Sequence, residues 1–319
     1  MFDKKLDYEM SVLDCRQIQI SHTLQQWKLP AELLYYNVCV STDVMFEHLF
    51  EKQLKTWMFD AACYKVSELA LLDVKYEELP YTGYQDIAPA LKLTAGGHSS
   101  AFLWVVCGQV PYVKPTDFAD LTALHSLWVQ DWHAGKHAEH PSGYYIKDLY
   151  PVYDGLITEE EMRQLCDYPI ELPEAKELLL LHRPTGTVSE QQKNIIAERH
   201  ASWMSDYRDE RVMYHTILDY VDGRRTSPFE SLAELYDCCA HAFKFVAGSR
   251  HLYSFYLEHT GQDASSISML RELAKKARTL KNTFFLASHN EKLNIDMVKR
   301  VCTEMLELER SWCRWPQQA

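Results

Sequence analysis

The chain has no long apolar run. Its longest, from Ala101 to Cys107, falls far short of the roughly 20 residues that cross a bilayer as a helix. The opening residues, MFDKKLDYEM, are acidic and polar and lack the apolar stretch of a secretory signal. No C-x-x-C pair occurs among the nine cysteines. An odd number, mostly in apolar surroundings (Cys39, Cys107, Cys302), suits buried free thiols in a reducing compartment better than a disulfide framework. These absences predict a cytoplasmic protein.

Positive charge is also scarce. Against 45 Asp and Glu stand 33 Lys and Arg, a formal net charge of -12. Nucleic acids and anionic membranes need clustered cations to neutralise phosphate, so neither is an expected partner. The densest basic segment, Lys275, Lys276, Arg278 and Lys281, reads as a solvated helix face or a small phosphate patch. With 47% apolar and 24% charged residues over 319 positions, the chain can bury the core of one large or two ordinary domains.

Familiar catalytic signatures are missing too. There is no G-x-S-x-G elbow, no Walker sequence and no G-x-G-x-x-G after a strand. The segment Gly96-Gly97-His98-Ser99-Ser100 is either a plain turn or an anion-holding one. The acidic runs Glu77-Glu78 and Glu159-Glu160-Glu161 read as solvated helix starts, the second behind Thr158 as N-cap.

What is present changes character near residue 172. Before it, short aromatic and β-branched runs alternate with Pro and Gly. The spacing predicts helices over 3–27 and 43–54 and strands at 33–40, 56–60, 89–94, 101–107 and 143–147. After it, helical periodicity dominates. A helix ends at Pro184 and Gly186. The next opens at the Ser189/Gln192 capping box and carries Ile196, Trp203, Tyr207, Tyr214, Ile217 and Val221 on one face to Gly223. Ser227 and Pro228 open another, which Gly248 stops. Further helices follow to Thr260, through Leu270 to Leu280, and from Asn294 to Trp312. The expected fold class is α+β: a mixed lobe over 1–172 and an all-α bundle over 173–319.

Asp131, His133, His137, Glu139 and His140 are the densest group of potential ligands. His-x-x-x-His places two imidazoles on one helical face, and zinc takes three such ligands plus water. Gly135 and Pro141 weaken a helix there, and no Glu lies between the histidines, so an exposed loop explains the same residues. A hydrolase with metal at His133, His137 and His140 is one enzyme reading. Another is a helical ribonuclease using Arg208 and His215, a spacing that chance supplies readily. Cys238, Cys239 and His241 lie in an amphipathic helix, where Cys packs as a small core residue. The tyrosines Tyr81, Tyr84, Tyr144, Tyr145, Tyr150 and Tyr153 suit either a core or a partner-binding surface.

The order of segments resembles the effector adaptor (chaperone) family of bacterial type VI secretion systems. Trp57-Met-Phe-Asp60-Ala61-Ala62 stands for that family's Asp-Gly-Ala strand, and Ile87-Ala-Pro89-Ala-Leu91-Lys-Leu93 for its Pro-containing segment. Phe118 to Leu127 follows as the leucine-rich helix. Ser142-Gly143-Tyr-Tyr-Ile-Lys147-Asp-Leu-Tyr-Pro151 and Leu156-Ile-Thr158-Glu-Glu-Glu-Met complete the series, with Tyr150 in place of the family's Asp before Pro. The resemblance implies a non-catalytic cytoplasmic chaperone without cofactor. Such a protein binds a toxic effector and loads it onto the spike protein of the secretion apparatus, and the six tyrosines above are then the candidate contacts.

Overall fold

In the computed structural model, described for residues 4–313 except 60, 62, 119, 136–141, 171, 173 and 174, strands occur only before Arg183 and helices alone follow it. The α+β class therefore holds. The strands are β1 (Lys75–Pro80), β2 (Ser99–Val106), β3 (Leu124–His133), β4 (Gly143–Leu149), β5 (Val152–Thr158) and β6 (Glu177–His182). They form one sheet in the order β1-β6-β2-β3-β4-β5, and every neighbouring pair is antiparallel. The helices are α1 (Lys4–Val12), α2 (Cys15–Gln26), α3 (Thr42–Phe46), α4 (Tyr84–Lys92), α5 (Glu159–Asp167), α6 (Glu190–Asp206), α7 (Val212–Val221), α8 (Leu232–His259), α9 (Ala264–Asn290) and α10 (Ile295–Cys313).

The chain divides into two units that interleave along the sequence. A sheet unit takes Cys15–Pro30 and Lys65–Ser189, and a helical unit takes Met1–Asp14, Ala31–Tyr64 and Glu190–Ala319. The sheet thus continues past residue 172. Its last strand, β6, carries Leu178 to Leu181 with both faces buried, which is what an apolar run without alternation requires in a central strand. A helix ending at Pro184 is not formed.

Other expectations change for stated reasons. The segment around Pro89 is helix α4, because Tyr84, Ile87, Ala88 and Leu91 share one buried helical face. Its start is held by the Asp86 carboxylate, which accepts from the N–H groups of Thr82 and Gly83. Residues 31–35 and 56–58 form short 3₁₀ turns instead of strands. Phe118 lies outside any helix, and β3 begins at Leu124. At α5 the reading stands: Thr158 Oγ1 accepts from Glu161 N at 3.1 Å, and the Glu161 carboxylate accepts from Thr158 N at 2.7 Å.

One layer of the sheet unit's core packs α4 and α5 against one sheet face. Ile87, Leu91, Met162 and Leu165 meet Leu103, Leu127, Ile146 and Leu180 there. On the strands these positions alternate with residues of the opposite face. In the helical unit, the expected single helix to Gly223 is broken after α6, and Arg211 with φ 64° precedes α7. Gly248 does not stop α8, which continues through it to His259. A buried polar knot joins this unit: Arg250 Nε donates to Glu309 at 3.0 Å, an Arg250 Nη to Val40 O at 2.6 Å, and Tyr214 OH to Glu309 at 3.2 Å. Among the described residues no helix is long and apolar enough to cross a membrane.

Candidate active site

Of the eight free cysteines in the described residues, seven are buried and only Cys15 is partly exposed. Burial pushes the thiols of Cys107, Cys166 and Cys302 up to about 11, about 12 and about 12, which leaves them inert near neutrality. Cys15 is the first residue of α2. The first N–H groups of a helix have no acceptor inside it and carry partial positive charge.

Two side chains from the sheet complete a relay with it. His125 is the second residue of β3, and its Nε2 lies 2.5 Å from Asp148 Oδ2 on β4. Cys15 acts on the same ring, favouring its charged form. With Nε2 committed to Asp148, Nδ1 is the ring nitrogen left for a further partner. Burial opposes a charged ring here, but the bond to Asp148, with Cys15 adding to it, outweighs that and pushes His125 up to about 10.

The local packing explains how the three residues are held. Ser126 N donates to Cys15 Sγ at 3.3 Å. One helical turn further on, Gln19 donates to Ser126 O at 2.7 Å and accepts from Ser126 Oγ at 2.6 Å. This buried pair fixes the register of α2 on β3. Arg16 lies 4.4 Å from the centre of the Trp104 ring and 3.6 Å from Glu177, and Trp104 faces Ser126 across the β2–β3 ladder. Asp148 is fixed on both oxygens. Leu149 N (2.8 Å) and Tyr150 N (3.3 Å) donate to Oδ1, and Tyr112 OH (2.8 Å) shares Oδ2 with His125. Phe118 covers the His125 ring, with centroids 5.3 Å apart, and itself meets Tyr150 edge-on.

Such an arrangement can do nucleophilic acyl chemistry: a thiol at a helix start, a ring to hold its proton and a carboxylate to orient the ring. Neither of two clefts in this unit touches it. One of about 350 Å³ lies at the other end of α2, lined by Gln26, Trp27, Asp131, His133 and Tyr145 among others. The second, of about 420 Å³, is lined by Glu77 and His182 with the segment 73–76.

The residues singled out from sequence lie elsewhere. Tyr81, Tyr84 and Tyr144 are buried in the core beneath α4 and α5, so they cannot present a contact surface. Tyr84 OH is spent on Glu159 at 2.6 Å and on Tyr144 at 2.8 Å. Tyr145 bonds Asp154, Tyr153 stacks on Tyr112, and only Tyr150 is well exposed. His133 pairs loosely with Asp131 at 3.4 Å, while His137 and His140 lie outside the described residues. Among the described residues no group of three His, Cys, Asp or Glu is placed to hold a metal ion. Arg208 is spent on the carbonyls of Ser205 and Tyr207. The Gly96-Gly97 turn does hold an anion, the chain's own: Gly96 N donates to Asp131 at 2.9 Å.

Sequence reasoning missed Cys15, His125 and Asp148. One signal was available: Cys15 alone among the nine cysteines is flanked on both sides by charged residues, Asp14 and Arg16.

No family model matches the chain. Among curated proteins it is similar to "Ribostamycin:4-(gamma-L-glutamylamino)-(S)-2-hydroxybutanoyl-[BtrI acyl-carrier protein] 4-(gamma-L-glutamylamino)-(S)-2-hydroxybutanoate transferase" of Niallia circulans. The two are 21% identical over 267 residues, covering 82% of each. That likeness to a transferase overturns the expectation of a non-catalytic secretion chaperone that loads effectors. The segments on which that resemblance rested include His125 and Asp148, but their order along the chain gave no sign that the two side chains meet.

Proposed function

We propose that the chain is a thiol acyltransferase that moves an acyl group from a carrier-bound thioester to an amine through an acyl-Cys15 intermediate. The observation that carries this reading is the grouping of Cys15, whose Sγ accepts from Ser126 N at 3.3 Å, with the neighbouring His125, whose Nε2 lies 2.5 Å from Asp148 Oδ2. The likeness to a transferase whose name gives an acyl-carrier-protein donor supports the choice of donor.

With the proton resting on His125, the Cys15 sulfur attacks the thioester carbonyl. The developing oxyanion is stabilised by N–H groups of the first turn of α2. Collapse breaks the bond to the carrier sulfur, which takes the proton from His125 and leaves as a thiol. An amine then attacks acyl-Cys15, His125 accepts a proton from the nitrogen, and the Cys15 thiolate departs with the amide formed. Asp148 holds the ring and balances its charge in both halves. Exchanging one thioester for another costs little, so the step downhill to the amide drives the cycle.

Two mass-spectrometric measurements test this. Brief treatment of the native protein with iodoacetamide should label Cys15 and spare the seven buried thiols. Incubation with an acyl N-acetylcysteamine thioester should add one acyl mass at Cys15, lost in Cys15→Ala. A native protein that neither alkylates nor acylates at Cys15 would sink the reading.

A further inference from the structure

We propose that Tyr112 is a positioning residue of this relay, its hydroxyl fixing the Asp148 oxygen that holds His125. The inference rests on the acyl-transfer reading above.

Tyr112 reaches the relay from the loop between β2 and β3. Its hydroxyl donates to Asp148 Oδ2 at 2.8 Å, the same oxygen that faces His125 Nε2 at 2.5 Å. The ring is held from behind by Tyr153 of β5, with centroids 3.8 Å apart and planes within 4°. Tyr153 is itself anchored, its hydroxyl donating to Leu156 O at 3.0 Å. The contrast with Tyr81 shows that filling the core does not require such a bond: the buried Tyr81 hydroxyl has no hydrogen-bond partner among the described residues.

Two donors on one carboxylate oxygen divide its charge, so each weakens the pull on the other. The hydroxyl therefore does two things. It stops the carboxylate from turning away from His125, and it moderates the hold of Asp148 on the imidazolium, leaving the ring able to give its proton to the departing thiol. Burial, reinforced by Asp148, raises the Tyr112 hydroxyl far above its ordinary range, so it stays a donor throughout the working pH. The titratable groups acting on His125 are Asp148 from β4 and Cys15 from α2, and those acting on Tyr112 are Asp148 and Tyr153. Asp120, from the same loop, acts on Cys107 together with Asp148.

The test compares the full-length protein with Tyr112→Phe, which keeps the stack on Tyr153 and deletes only the hydroxyl. Transfer from an acyl N-acetylcysteamine thioester to an amine is followed from neutral to alkaline pH, with thermal unfolding in parallel. The expected result is a kcat lower by about tenfold, since general acid–base steps contribute on the order of 10²–10⁴ in full. KM should stay nearly constant and the alkaline limb should move to higher pH, because His125 then holds its proton more tightly. A fluorinated tyrosine at position 112, a stronger donor with the same ring, should move that limb the other way and serves if the Phe variant folds poorly. An unmoved limb with unchanged kcat overturns the proposal. So does a lower kcat that follows only a lower unfolding temperature. If the unmodified protein forms no acyl-Cys15, the acyl-transfer reading fails and this role with it. If it forms the adduct and Tyr112→Phe behaves identically, only the role of Tyr112 fails.

Discussion

His125 Nε2 stands 2.5 Å from Asp148 Oδ2, with the two side chains only 3% and 1% exposed. An ion pair so far from water is costly unless its geometry is good and its remaining lone pairs are satisfied. Here Leu149 N, Tyr150 N and Tyr112 OH supply the remaining donors. Asp148→Asn keeps the shape and removes the charge. We expect transfer to fall by about 10²-fold or more while Cys15 remains present and alkylatable. The variant should also change the pH dependence of folding. The folded ring is pushed up to about 10 from an ordinary 6.5, so the stability it contributes is complete below about pH 6.5 and fades as pH rises through about 10. Urea midpoints measured at neutral and alkaline pH should converge for Asp148→Asn and diverge for the native chain. Equal loss in both would refute the pairing.

Gly248 sits inside α8, where alanine is ordinarily the better residue by about 1 kcal/mol. A Cβ at this position would meet Tyr8 O at 2.7 Å, Ser11 Cβ at 2.9 Å and Val12 Cβ at 3.0 Å. The closest neighbour is backbone and cannot rotate aside, so the steric cost should exceed the propensity gain. Gly248→Ala is expected to lose about 1–3 kcal/mol, read from denaturant unfolding. A stabilised variant would mean that α1 does not pack this closely.

Acid should loosen the helical unit through two histidines. His200 is driven down to about 4 by burial, and His251 likewise by burial and then by Arg271 and Arg278. His200 Nε2 is 2.7 Å from Tyr253 OH, and His251 stacks on Tyr8 with centroids 3.6 Å apart. Both rings are neutral in the folded state. Their contribution is present above the ordinary 6.5 and is lost as pH falls toward about 4, because the unfolded chain takes up those protons first. His200→Gln should flatten the fall in unfolding temperature between about pH 7 and about pH 5. A native chain with no such fall would contradict the burial of these rings.

The helical unit was the more legible part in the sequence. Long amphipathic segments announce themselves by period, and Gly261 past α8 acts as its chemistry requires, as does Thr158 before α5 in the sheet unit. Reading failed where a residue's meaning depended on distant neighbours. Gly248 looked like a stop and is a site of close helix approach. Leu178 to Leu181 suited a helix and form a strand, because β1 and β2 lie on either side of them. The tyrosines drew attention by number, yet Tyr84 and Tyr144 were recruited inward by a shared hydroxyl network with Glu159.

The amino-acid sequence by itself determined the α+β class, the acidic balance and the positions of most later helices, since these depend on local period, capping and composition. The candidate site was decided by tertiary structure alone. Cys15 comes from a helix start near the beginning of the chain, and His125 and Asp148 from strands 23 residues apart. No local pattern relates three such positions. They meet only because Gln19 locks α2 to Ser126 and antiparallel pairing sets β3 beside β4. A catalytic relay is a matter of distances and burial, and those exist only once the chain has closed on itself.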